Sequence, residues 1–303
     1  MPLNIASDPA SAPLRDTVRA IPNSSHEPPA IVSISDIHGY LKEARSALLT
    51  LTDHPEYDPI VITNEDGRFH WADNNYVLVF NGDLIDRGPQ NEATLAMVSR
   101  LVNEAPPGRV RITLGNHESM ILMSKDYNYV DWYSTQLDSE ARKQFLHTIC
   151  DGHVTAAYRG YNYTYAHAGS TVEYSVSDVN ESLIQAAEQL LPVVGTLEDA
   201  QMQTQLASDY NFVLEKGTQR VKGPSAGLVW MNYAHLSPDS PPQVVGHTRH
   251  TRPQTKGNVH CQDVLQDNLE SDGGEAVFIE TPDSLTALVR EGQKNTETIS
   301  LNQ

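Results

Sequence analysis

The stretch "YVLVFNGDLIDRGP", residues 76–89, decides how this chain folds and where its chemistry gathers. Its first five residues are apolar, several of them β-branched or aromatic, which reads as a strand buried on both faces. The run breaks at Asn81–Gly82 and then delivers Asp83, Asp86 and Arg87. Unpaired charge beside an apolar core is costly, so a strand that ends this way implies an ion or ligand at its tip.

The same design recurs on either side. "AIVSIS" (30–35) runs into Asp36 and His38, and "RVRITLGN" (109–116) runs through Asn116 into His117 and Glu118. Between these runs, "YLKEARSALLTL" (40–51) and "NEATLAMVSRLVNEA" (91–105) carry helical spacing, the second stopped by "PPG", and a further helix is expected from His117. Residues 58–72, around "NEDG", read as an inserted hairpin. Strands alternating with helices imply parallel pairing through right-handed crossovers, hence an α/β layered fold. Residues 131–152 and 176–216 read as polar helices, with "YNYTYAHAG" (161–169) a strand between them. After Trp230 come short strands, "QVVGH", "GNVHC", "EAVFIE" and "SLTALVRE", which suggest a second sheet packed on the first within one domain. Residues 1–29, rich in Pro, Ser and Ala, are expected to be a disordered leader, 30–292 the folded domain, and 293–303 a flexible tail.

Composition narrows the function. With 303 residues, 39% hydrophobic, the chain is long enough to bury a sizeable core. Asp and Glu total 39 against 21 Lys and Arg, a formal charge of −18 that disfavours nucleic acids and anionic membranes as partners. No apolar run approaches the ~20 residues that span a bilayer, and the N-terminus lacks the order of a secretory signal, so a cytoplasmic location is expected. Cys150 and Cys261 are too few for a disulfide framework and read as small buried side chains.

In open α/β folds ligands collect outside the carboxyl ends of the strands. Those ends carry Asp36 and His38, then Asp83, Asp86 and Arg87, then Asn116 and His117, then His167 in "YTYAHAG" and His247 in "QVVGHT". Any one of these pieces alone is an ordinary turn or a satisfied polar residue. Together they would bury several carboxylates beside several imidazoles, a conflict that metal ions remove. Mixed oxygen and imidazole donors suit Mn, Fe, Zn or Co better than Ca or Mg, and a shared carboxylate can hold two cations ~3.5–4 Å apart.

Taken in order, "DIHG" (36–39), "GDLIDRG" (82–88), "GNHE" (115–118), "HAG" (167–169) and "GHT" (246–248) resemble the calcineurin-like metallophosphoesterases, specifically the phosphoprotein phosphatase branch. The resemblance runs from about residue 31 to 290. It implies a four-layer α/β/β/α sandwich of two packed mixed sheets, and two divalent metal ions, manganese first, with Fe, Zn or Co as alternatives. By the resemblance, Asp36, His38 and Asp83 hold one ion, and Asp83, Asn116, His167 and His247 the other. Arg87 and Asn116 would bind the phosphate, and His117, oriented by Asp86, would protonate the leaving oxygen. The nucleophile would be a hydroxide bridging the ions, attacking phosphorus directly without a covalent enzyme intermediate.

The pattern also departs from the family. Ser35 stands where glycine is usual, and "HAG" replaces the "HGG" of eukaryotic Ser/Thr phosphatases, closer to phage-type and bacterial enzymes or to symmetrical dinucleoside tetraphosphate hydrolases. The eukaryotic enzymes place a second phosphate-gripping arginine ahead of the "GHT" turn, whereas "WMNYAHLSPDSPPQVVGHT" (230–248) has none. Arg249 and Arg252 lie just beyond and are the candidates to replace it. The leading reading is a binuclear-metal phosphomonoesterase acting on phosphoprotein, as a Ser/Thr-type phosphatase, or on small phosphoesters. A symmetrical dinucleoside polyphosphate pyrophosphohydrolase is the alternative, and a metal-free binding scaffold is the rival from another class. Glu118 is expected to anchor its turn, Trp230 and Tyr233 to fill core, and Tyr158, Tyr161, Tyr163 and Tyr165 to mark a sheet face.

Overall fold

The computed structural model describes residues 3–6, 10, 12–22, 27–127, 130–217 and 222–302. The first half is a series of strand–helix steps. Strand β1 (Ala30–Ile34) leads through α1 (Leu41–Asp53) and the hairpin β2 (Val61–Thr63) and β3 (Phe69–Trp71) to β4 (Tyr76–Asn81). From there α2 (Asn91–Glu104) leads to β5 (Val110–Thr113), and α3 (Asn116–Leu122) and α4 (Ser139–Cys150) lead to β6 (Val154–Thr155). β1, β4, β5 and β6 lie side by side and parallel, with Val32 opposite Leu78 and Phe80 opposite Ile112. Every residue of β4 is buried, as its unbroken apolar run requires. Leu78 and Phe80 pack toward α1 and α2 with Leu48, Leu51 and Leu101, while Val77 and Val79 face the other way, onto Tyr158, Tyr165 and Val244. The period of two thus divides one strand between two cores.

The second half supplies the facing sheet and a second helical layer. It contains β7 (Tyr158–Arg159), β8 (Thr164–Tyr165), α5 (Val176–Leu190), α6 (Asp199–Asp209), α7 (Asn211–Leu214), β9 (Gln243–Val245), β10 (Gln254–Lys256) and β11 (Val259–Cys261), followed by β12 (Gly273–Glu280), β13 (Leu285–Glu291) and β14 (Asn295–Ser300). The smaller sheet runs β10–β11–β9–β8–β7, and the larger runs β14–β13–β12–β1–β4–β5–β6. Both are mixed, and with helices outside them the architecture is the α/β/β/α sandwich.

The strands after Trp230 do not form one second sheet, as their run in the sequence suggested. β9, β10 and β11 do, but β12 returns to the first sheet and pairs antiparallel with β1, Val32 opposite Ile279. The reason is burial: Val277 and Ile279 join the helix-side core while Ala276 and Phe278 join the inter-sheet core, so β12 needs cover on both faces. Both ends of the chain also take part. In the segment expected to be a disordered leader, Leu3, Val18 and Ile21 are buried, and 3-10 turns span Ala12–Leu14 and Val18–Ala20. In the segment expected to be a flexible tail, β14 pairs along β13 from Asn295 to Ser300. Isolated apolar residues and a polar edge strand carry no periodic signal of their own. No helix among the described residues is long and apolar enough to cross a membrane.

Candidate metal centre and active site

The loops leaving β1, β4, β5, β8 and β9 meet at one point. Asp36, His38, Asp83, Asp86, Asn116, His117, His167 and His247 are all buried there, with Arg87 exposed at the rim. Backbone bonds zip the loops together: Asp36 N donates to Gly82 O (3.0 Å), His38 N to Asp83 O (2.8 Å) and Gly88 N to His38 O (2.7 Å). Among the described residues the non-glycine positive φ angles are those of Asp36 (55°), His38 (49°), Asp83 (54°), Asp86 (74°), Arg87 (60°) and His247 (65°). All six belong to the predicted site, and left-handed backbone at non-glycine residues persists only where the surroundings enforce it. Two glycines make the close approach possible. A Cβ on Gly115 would run into the amide and carboxylate of Asp83, and one on Gly246 into the carboxylate of Asp36.

Asp83 stands in the middle. Its Oδ2 lies 3.3 Å from His38 Nε2, 3.4 Å from His167 Nε2 and 3.9 Å from His117 Nε2, and its Oδ1 accepts from His117 N at 2.9 Å. Asp36 sits on the His38 side, its Oδ1 3.8 Å from His38 Nε2, and accepts from His247 N. On the other side Asn116 Oδ1 lies 2.7 Å from His247 Nδ1 and 3.2 Å from His167 Nε2. His38 and His167 each turn Nδ1 to a backbone carbonyl, Ile85 O at 2.9 Å and Asn81 O at 3.0 Å. A carbonyl only accepts, so in each ring Nδ1 carries the proton and Nε2 faces Asp83.

The electrostatics follow from this crowding. Burial opposes ionisation of Asp83, but the surrounding His167, His117 and His38 outweigh it and hold its carboxyl well below the usual carboxylate range. Burial likewise opposes charge on His167, but Asp83 and Asp36 push it up to about 10. His38 and His247 are held well below the ordinary imidazole range, foremost by burial, and burial raises Asp36. Nε2 of His38 and Nε2 of His247 are buried without a hydrogen-bond partner. Donor atoms of His38, Asp83 and His117 lie within 4.8 Å of one another, as do those of Asp83, His167 and His247, so two sets share one carboxylate. Carboxylate and imidazole donors with unused lone pairs fit a pair of transition-metal ions. Glu118 braces the centre from below, accepting from Asp83 N, Leu84 N and Gly115 N, its own carboxyl pushed up to about 8 by burial and then by Asp83.

His117 differs from the other imidazoles in its partners, a carboxylate on one nitrogen and a guanidinium on the other. Nδ1 donates to Asp86 Oδ2 (2.7 Å), and Nε2 accepts from Arg87 Nη2 (3.2 Å). Asp86 is fixed from the far side by Ser134, whose N donates to Oδ1 (2.8 Å) and whose Oγ donates to Oδ2 (2.7 Å). The half-buried Trp132 lays its ring 4.7 Å from that of His117, tilted by 38°. Arg87 Nη1 donates to Gln266 Oε1 at 2.6 Å. Sequence reading missed Trp132, Ser134 and Gln266, which lie in or beside short 3-10 turns with no periodic pattern to mark them. It also missed Lys222, a partly buried cation whose charge faces Arg87, Asp83 and Asp36. Neither arginine beyond His247 joins the cup: Arg252 pairs with Glu291 and Glu297, and Arg249 lies 3.6 Å from Asp267. Trp230 is core, stacked on Tyr127 and edge-on to His247 at 6.2 Å.

Solved phosphatase structures share this architecture. A cold-active protein tyrosine phosphatase structure aligns with 96% of this chain and 84% of its own at 18% identity and a TM-score of 0.59. A cold-active protein-tyrosine phosphatase of a psychrophilic Shewanella species aligns with 95% of this chain and 84% of its own, at 18% identity and a TM-score of 0.54. A putative diadenosine tetraphosphatase aligns over 94% of this chain and 96% of its own at 17% identity and a TM-score of 0.43. For the two cold-active phosphatase structures the likeness, at these identities, is one of fold. The family model for calcineurin-like phosphoesterases matches residues 29–281, which takes in all five strand-end loops, and the chain belongs to that family.

Proposed function

We propose that this protein is a phosphomonoesterase dependent on two divalent cations, acting on phosphoprotein of the Ser/Thr type or on small phosphoesters. The observation that carries this reading is Asp83 at the junction of two donor sets, with the His117–Asp86 pair and the exposed Arg87 beside it. Asp36, His38 and Asp83 would hold one cation, and Asp83, Asn116, His167 and His247 the other, with manganese the first choice. Bound there, the cations would lower the pKa of a water toward neutrality, making it a nucleophile for phosphorus.

The chain's own residues do the rest. Arg87, with Asn116, binds the phosphate; to reach it the guanidinium leaves its bonds to His117 and Gln266. That movement frees His117 Nε2 to hold a proton for the departing oxygen, while Asp86 keeps the Nδ1 side of the ring in place. Trp132 walls the leaving-group side beside His117. A second reading, symmetrical hydrolysis of dinucleoside polyphosphates, is favoured by one observation: Arg249 and Arg252 face carboxylates elsewhere, so among the described residues Arg87 is the arginine that reaches the His117–Asp86 pair.

The test is a kcat/KM comparison of Mn²⁺-loaded protein on phosphoserine, phosphothreonine and phosphotyrosine peptides and on diadenosine tetraphosphate. Phosphopeptides ahead by tenfold or more are expected. The dinucleotide ahead by orders of magnitude would replace the first reading with the second. No hydrolysis of any of them, with no Mn²⁺ bound, would leave a scaffold.

A further inference from the structure

One buried carboxylate beside the cup has no part in the mechanism above. Asp263 lies two residues past the end of β11, which runs parallel to β9 with Val259 opposite Gln243 and Cys261 opposite Val245. Gln262 N continues that pairing by donating to Val245 O at 2.9 Å. Extending the register by two residues sets Asp263 alongside His247, at the same carboxyl edge from which the other site residues project. Asp263 therefore stands at a sixth strand end.

Its surroundings are unusual. Asp263 is 1% exposed, and both of its carboxylate oxygens lack a hydrogen-bond partner. The charges that act on it include Asp36, His167, Asp83 and Arg87, and its own charge acts on Lys222. Arg87 donates to Gln266 and His117, and Arg249 turns to Asp267. A buried carboxylate without a partner, set among two more carboxylates, is strongly unfavourable on its own. Divalent cations in the cup reverse the sign of that interaction.

We propose that Asp263 is a further carboxylate of the cation-binding cup, strengthening its hold on divalent ions from the side of His247 and Asp36. The inference rests on the reading of the cup as a cation centre. Asp263 is not placed among the residues that touch substrate; its contribution is to the charge of the cup.

The test compares chelator-stripped wild type with Asp263→Asn, each checked for folding by circular dichroism and then titrated with Mn²⁺ by calorimetry. The variant is expected to bind at least one Mn²⁺ tenfold or more weakly, within the range seen when supporting partners of metal ligands are removed. Without metal it should melt at or above the wild-type temperature, because a buried carboxyl without a partner is gone, and saturating Mn²⁺ should raise its Tm less than it raises that of wild type. Equal Mn²⁺ affinities overturn the inference and leave Asp263 as a counter-charge to Arg87 and Lys222. If Asp263→Asn does not fold, Asp263→Ser goes through the same titration, judged by the same outcomes. Wild type that binds no Mn²⁺ overturns the cup reading itself, whereas wild type that binds it no better than the folded variant overturns the role of Asp263 alone.

Discussion

Asp83 is the residue on which the centre turns, because His38, His167 and His117 all face its carboxylate. Asp83→Asn keeps the shape but removes the shared charge. Turnover should fall by ~10³ or more, since metal-ion stabilisation of this kind is worth several kcal/mol, and Mn²⁺ binding should weaken with it. Calorimetry alongside kinetics checks both, and full Mn²⁺ affinity in the variant would contradict the bridging role. His117→Asn is the contrasting case: kcat should drop by roughly 10²–10⁴ with Mn²⁺ affinity retained, as for loss of a general acid. Loss of metal from that variant would make His117 a ligand. The strand-end residues were legible because each ends an apolar run in its own stretch of sequence. Ser134 was not, because its importance lies in two bonds to Asp86, which is 48 positions away in the sequence.

At the scale of elements, the short strands of the smaller sheet carry the second half of the site and bury polar groups to do so. His260 in β11 is 1% exposed, bonded through Nδ1 to Thr255 Oγ1 and packed edge-on against Tyr163. Burial lowers its imidazole to about 4, below the value of about 6.5 in an unfolded chain. Between those values the unfolded chain binds the extra proton, so the stability His260 permits is present above about pH 6.5 and is lost as pH falls toward 4. Denaturant melts of wild type and His260→Asn across that window should show wild type losing roughly 1–3 kcal/mol more than the variant between pH 6.5 and 4. Parallel loss in both would assign the acid sensitivity elsewhere. Elements of five or more residues with an apolar face or run were readable, as in β1, β4, α1 and α2, whereas the equally long but polar β14 was not. Strands of two or three residues, such as β6, β7 and β10, are too short to show a period and take their conformation from the neighbours they pair with.

Over the whole molecule, the cup lies where the ends of β1, β4 and β5 in one sheet meet those of β8 and β9 in the other. Cations held there bind the folded state and not the unfolded chain, so they should stabilise the sandwich by about 2.7 kcal/mol for each site at a hundredfold excess over Kd. Chelation of the Mn²⁺-loaded protein should therefore lower Tm by roughly 5–10 °C, and identical melting with and without chelator would argue against a cation centre. By itself the sequence determined that the chain alternates buried strands with helices, that charged and imidazole side chains sit at the strand tips, and that the ordered motifs match one family. Those features are local: apolar period, glycine at the breaks, and residue type within a few positions. Only the tertiary structure decided that β12 closes the first sheet, that both chain ends pack against the domain, and which groups beside the cup lack partners. Partners of that kind come from residues far apart in the chain, as His247 and Asn116 do at 131 positions, and whether a carboxylate like Asp263 is satisfied depends on every element around it. Spacing in a sequence holds no record of that.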